Sequence, residues 1–362
     1  MITATVVLLI LIGVPTLLRF FGFAEPIAAI LGALAAACLV TSFDFNILAG
    51  VLDFNRIDYS YLAIMVLSVI ASLLAGCHAA PRTNRPLSWY AQGDAAFIGA
   101  LLVAIVLAAY ALQVSIVNVT VGALAIGVAL WLVMAGAGAL LARRSRTPPP
   151  VVSLPQRLGI GFLAVGLIVL PSVWAMLLGL MTPSEAFAFL GLPAALTFRL
   201  AVGFTQGRGI AGFGSDVLRG IADGAWVILT AFAAQVASFA YVMSGPTSSA
   251  LPLSVWLTPA FAIAVLALGC IVGPTYGALL AIVVSAPLLT AAGMPPDSCA
   301  LVAGLALMLG YARPAFGLSL LSPAPGASAR RLPAADDVGV LAVGAVIVVG
   351  VAAAMAALAG GG

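Results

Sequence analysis

The sequence predicts an all-α, polytopic membrane protein of about 11–12 hydrophobic segments, ion-transporter-like, with broken helices and a re-entrant hairpin in its second half. Three observations carry this. Of 362 residues, 64% are hydrophobic and only 7% are charged, against roughly 25% charged in a soluble domain. No Asp, Glu, Lys or Arg occurs from Gly224 to Pro296, long enough for about three spans of ~20 residues each. Gly and Pro interrupt the apolar runs of the second half at intervals.

Taken in order, the apolar runs place spans at Ile2–Leu18, Pro26–Val40, Tyr59–Gly76, Ala95–Leu112 and Val117–Leu141. The run at Met1–Leu18 lacks a basic start and a small-residue cleavage site, so it reads as a retained span and not a signal peptide. A Pro-rich basic stretch follows at Arg143–Arg157 (RRSRTPPPVVSLPQR). It cannot be one continuous helix, because interior prolines remove donors and clash with the preceding turn. Beyond it come Leu158–Leu180, Glu185–Val202, Gly220–Met243, Val255–Val272, Gly277–Ala292, Ser298–Gly310 and Val338–Leu358. The chain therefore divides into an N-terminal membrane part (1–142), a cytoplasmic linker (143–157), a second repeat with the candidate transport site (158–335) and a C-terminal span (336–362).

All fourteen basic residues are Arg, and the net charge is only +3. Arg82 and Arg85, then Arg143, Arg144 and Arg146, then Arg208 and Arg219, then Arg330 and Arg331 are separated by even numbers of segments. The positive-inside rule puts those loops in the cytoplasm and the N-terminus outside. The loop at 42–60 carries Asp44, Asp53 and Asp58 against Arg56, as an outer loop would. Scattered arginines offer no nucleic-acid footprint. Cys38, Cys77, Cys270 and Cys299 show no metal-ligand spacing, and His78 is the single histidine, so no metal site or cofactor is expected. Phosphate-binding and hydrolase motifs are missing from the sequence, and a membrane-embedded enzyme would have only Glu185, Gln235 and Arg313, in widely separated segments, to work with.

Helix breaks at membrane depth are tolerated only inside protein or beside a cavity. They can offer carbonyls to a cation and amides to an anion. Three places qualify. At Leu180–Glu185 (LMTPSE), Thr182 could cap a helix whose first turn holds Pro183 and Glu185, either as a break at the site or as an ordinary loop-to-helix junction. Glu185 is then either a cation ligand or a carboxylate facing the helix dipole. At Gly273–Gly277 (GPTYG), Gly273 and Thr275 stand either in an unwound segment with free carbonyls or in a short turn between two spans. At Leu309–Ser319 (LGYARPAFGLS), Arg313 lies beside Pro314, Gly317 and Ser319. There it either receives an anionic substrate or snorkels to a membrane face. The expected ion-binding set is Thr182, Glu185, Gly273, Thr275 and Gly310; the expected substrate set is Arg313, Pro314, Gly317 and Ser319.

The run Leu170–Phe189 (LPSVWAMLLGLMTPSEAFAF) resembles the hallmark stretch of the large membrane subunit of TRAP transporters, the tripartite ATP-independent periplasmic transporters. Thr182, Pro183, Glu185 and Ala186 match that family's T-P-T-E-A, with Ser184 for the second Thr. Gly13-Val14-Pro15, Tyr61–Gly76, Val217–Gly245, and the spacing of Gly273, Pro287 and Gly293 are similar as well. Pro314, Gly317 and Leu318 match part of a T-P-P-V-G-L-N run. The resemblance implies Na⁺-coupled uptake of organic anions such as C4-dicarboxylates across a bacterial inner membrane. It also implies a small membrane subunit and a periplasmic solute-binding protein as partners. The sequence departs from the family pattern in three ways. Arg313 and Ala315 replace the Thr and second Pro of the T-P-P-V-G run. Residues 87–147 contain no proline where the first hairpin is expected, and Gly277 stands where the family has Asp. A non-transporting scaffold or regulatory subunit of the same fold is the alternative.

Overall fold

A computed structural model describes residues 4–42, 44, 59–77, 96–144, 154–207, 209–245, 257–273, 275–291, 293–311 and 335–360. These form helices and turns with no strand among the described residues. The helices are α1 (Ala4–Phe20), α2 (Glu25–Val40), α3 (Tyr59–Gly76), α4 (Ala96–Leu112) and α5 (Ile116–Arg144). The sixth, α6, is built from Leu154–Ala164, Val165–Val169 and Leu170–Leu177, and α7 is Pro183–Thr205. Then come α8 (Phe213–Met243), α9 (Leu257–Ile271), α10 (Tyr276–Ala291), α11 (Pro296–Tyr311) and α12 (Ala335–Gly360). Four segments are long and apolar enough to cross a membrane, Ile116–Ala137, Leu158–Leu177, Pro183–Thr205 and Phe213–Met243, and shorter apolar helices accompany them. The chain is an all-α polytopic membrane protein, as its composition predicts.

The centre of the bundle is α4. Residues 97–109 are buried on every face, which is how a helix that is hydrophobic all round behaves. It packs between α3, α5, α10 and α11. Small residues set the closest approaches, as expected where lipid supplies no hydrophobic drive between helices. A Cβ on Gly99 of α4 would lie 2.5 Å from Ala71 Cα of α3, and one on Gly220 of α8 would lie 2.5 Å from Val69 Cα. The pair α3–α8 is thus a backbone-to-backbone seam, and α2 covers α8 from another side.

In α6 and α7 the helix widens into a π-turn just ahead of a proline. The wide turns are Val165–Val169 before Pro171 and Phe187–Gly191 before Pro193. Each proline lacks the N–H for the carbonyl four residues back and would clash with it. A widened turn removes the conflict. Ser172 assists by donating its hydroxyl to the Ile168 carbonyl at 2.8 Å. Around the Arg143–Arg157 stretch, α5 runs to Arg144 and α6 starts at Leu154, and 145–153 lie outside the described residues.

Candidate functional site

The stretch Leu180–Glu185 is a turn joining two spans. Gly179, in the left-handed region at φ +68°, ends α6. The Leu180 amide donates back to the Ala175 carbonyl at 3.0 Å, a Schellman-type C-cap. Thr182 then caps α7. Its Oγ1 accepts from the Glu185 amide at 3.4 Å, while Glu185 Oε2 accepts from the Thr182 amide and from Thr182 Oγ1, each at 2.8 Å. This is a capping box. The Glu185 carboxylate is therefore engaged at its own helix start, and both residues are exposed. Of the two roles open to Glu185 in the sequence, the geometry supplies the one facing the helix dipole.

At Gly273 the chain does break between two short helices. α9 has 15 residues and α10 has 16, so each is only about 23 Å long at 1.5 Å per residue. Gly273 takes φ +156°, and a Cβ there would run into the Glu25 carboxylate. That carboxylate comes from the first residue of α2. Its Oε1 accepts from the Thr275 amide at 2.9 Å and from the Tyr276 amide at 2.8 Å. Arg19, in the last turn of α1, donates Nη1 to the Val272 carbonyl at 2.7 Å. One short connection, the α1–α2 turn, thus supplies both partners. A cation meets the C-terminal carbonyl of α9, and a carboxylate meets the N-terminal amides of α10. Each charge matches the dipole end it touches. The carbonyls expected to be free are already bonded: Gly273 O accepts from the Gly277 amide and Thr275 O from the Leu279 amide, both at 3.0 Å. Thr275 and Tyr276 are buried.

Gly277 has a packing cause. A Cβ there would collide with the Leu268 carbonyl group across the hairpin. The Asp found in the resembling family has no room in this arrangement. Gly310 lies in the last turn of α11. Arg313, Pro314, Gly317 and Ser319 lie outside the described residues.

Two further polar clusters escaped the sequence reading. Arg199 of α7, 2% exposed, pairs through Nε with Asp216 Oδ2 at 2.9 Å and donates Nη2 to Ala211 O at 3.3 Å. Its Nη1 is buried with no hydrogen-bond partner. Nearby, Gln206 donates to the Cys77 carbonyl at 3.1 Å, so the end of α3 and the end of α7 share one end of the bundle. At the opposite end of α3, Tyr110 donates to Tyr61 Oη and Tyr61 to Gln235 Oε1, both at 3.0 Å, while the Gln235 amide closes the ring on Tyr110. Only Gln235 had drawn notice in the sequence. Arg19, Glu25, Arg199 and Asp216 all sit in or beside apolar runs, and that was the available signal. Among the described residues no group of three or more His, Cys, Asp or Glu is placed to hold a metal.

The chain matches no protein-family model, and no curated protein is significantly similar to it. The class that stands is the one the fold defines: a helical, polytopic membrane protein whose α9–α10 hairpin is clasped by Arg19 and Glu25 of the α1–α2 connection.

Proposed function

We propose that this chain is a secondary permease of the kind the TRAP large subunit represents, working in a bacterial inner membrane with its N-terminus outward. In this reading it takes up organic anions, C4-dicarboxylates foremost, with Na⁺ as coupling ion and no cofactor. A small membrane subunit and a periplasmic solute-binding protein are its partners. The observation that supports transport is the α9–α10 break. A helical hairpin interrupted amid buried, apolar helices, with charges brought in to meet both broken ends, supports a transport role over that of a passive anchor. The Arg19–Glu25 clasp holds by a few charged hydrogen bonds, so moving the α1–α2 turn would free the amides and the carbonyl together.

The test is uptake. Purified protein in liposomes, with and without the companion subunits, should accumulate radiolabelled C4-dicarboxylate when Na⁺ is high outside. Arg313→Ala should abolish that uptake. A second reading has its own support. Glu25 already occupies the α10 amides that a substrate carboxylate would otherwise use, as a scaffold or regulatory subunit would arrange. Absence of uptake with every partner combination favours it.

A further inference from the structure

We infer that Asp223 and Ser68 form a binding site for a monovalent cation, sodium ion or proton, at mid-depth of the α3–α8 seam. Asp223 is 1% exposed and Ser68 is 1% exposed. Ser68 has nine residues of α3 before it and eight after it, so it stands at the middle of a span. It is bracketed by Gly220 and Gly224 of α8. A Cβ on Gly220 would meet the Ser68 carbonyl oxygen at 3.1 Å, and one on Gly224 would meet Ser68 Cβ at 3.3 Å. Asp223 precedes Gly224, so its backbone position stands at the same level of the seam.

The Ser68 hydroxyl is the independent sign of a ligand. Buried helical hydroxyls normally bond the carbonyl four residues back. Thr41, Thr120, Ser172 and Thr230 all do so here, at 2.6–2.9 Å. Ser68 does not, and its Oγ is buried with no partner. A hydroxyl can give its lone pairs to a cation or hydrogen-bond a carboxyl group, so it serves either member of the class. An ionisable side chain inside a membrane bundle marks an ion path by default, and mid-depth is where coupling ions bind in secondary transporters.

A polar line leads there from one end of the bundle. Ser72, one turn from Ser68, donates to the Asp216 carbonyl at 2.6 Å. Asp216 lies two turns before Asp223 and meets the buried Arg199. On the helices packed against or bonded to α8, the other titratable groups are Arg19, Glu25, Cys38, Tyr59, Tyr61, Tyr110, Arg199 and Tyr276, with Glu185 at the far start of α7. On α8 itself, Arg219 is one turn away and exposed, and Tyr241 lies eighteen residues further on.

This inference deepens the transport reading, because it names where the coupling cation sits, yet binding can be measured without transport. The full chain in detergent is melted in NaCl against choline chloride at equal ionic strength, and separately from pH 8 to pH 5. In at least one arm the wild type should gain about 3 °C or more in Tm. The sodium arm identifies Na⁺ and the acid arm identifies a proton. Asp223→Asn should lose the response, and Ser68→Ala should need several-fold more cation for half of it. No response in either arm, or an equal response in Asp223→Asn, overturns the proposal. If Asp223→Asn does not fold, an unchanged midpoint in Ser68→Ala overturns it instead. Cation binding that persists while liposome uptake is absent sinks the transport reading alone.

Discussion

The two helical hairpins α6–α7 and α9–α10 carry similar punctuation, a Gly followed by a Thr–Pro or Pro–Thr pair, yet they close by opposite means. In α6–α7 the helix ends satisfy themselves. Gly179 turns the chain, and Thr182 and Glu185, three residues apart, cap the next helix. In α9–α10 the Thr275 and Tyr276 amides are met from outside the hairpin. These ends are met by Arg19 and Glu25, about 250 residues away in sequence. A locally capped turn depends on little else and can sit at an exposed edge. A break closed from a distance ties two parts of the molecule together, and it opens when they separate.

The comparison can be broken first at Gly273. Gly273→Ala places a methyl group against the Glu25 carboxylate at a φ that side chains rarely adopt. It should cost about 3 kcal/mol, read as earlier thermal unfolding or faster alkylation of the buried Cys77 and Cys299. Glu25→Ala should follow at about 2 kcal/mol, since it strands two amides and Arg19. The double exchange of Arg19→Glu with Glu25→Arg should not rescue it, because each charge then faces the wrong dipole end; a rescue would show that the pair matters only to itself. Thr182→Ala, the corresponding change in the self-capped hairpin, should cost about 1 kcal/mol. Glu185→Ala should have the smallest effect, because that side chain is exposed. If Glu185→Ala proves as costly as Glu25→Ala, the contrast drawn between the hairpins fails.

The twelve helices among the described residues could be read from apolar runs, most of them to within a few residues. Tyr59–Gly76 coincides with its run, Ala96–Leu112 begins one residue late, and the others shift at most by about one or two turns. The Thr182–Glu185 cap was legible for the same reason: every atom it uses lies within four residues. The break at Gly273 was also visible, because Gly and Pro act on their own backbone. Its partners were not. Glu25 reads in sequence as an ordinary acidic residue in the first turn of α2, and Arg19 as a basic residue at the end of α1, each in favourable dipole position for its own helix. Asp223 was hidden in a similar way, lying at the edge of a long uncharged run.

Composition and periodicity by themselves determined the solvent, the class and the helices, because burial in lipid and helix capping are set residue by residue along the chain. Only the tertiary structure decided that the α1–α2 turn clasps α9–α10, that Gly277 excludes an Asp, and that Ser68 meets the Asp223 level of α8. Those outcomes depend on which helices pack together and at what register, and no local propensity encodes either.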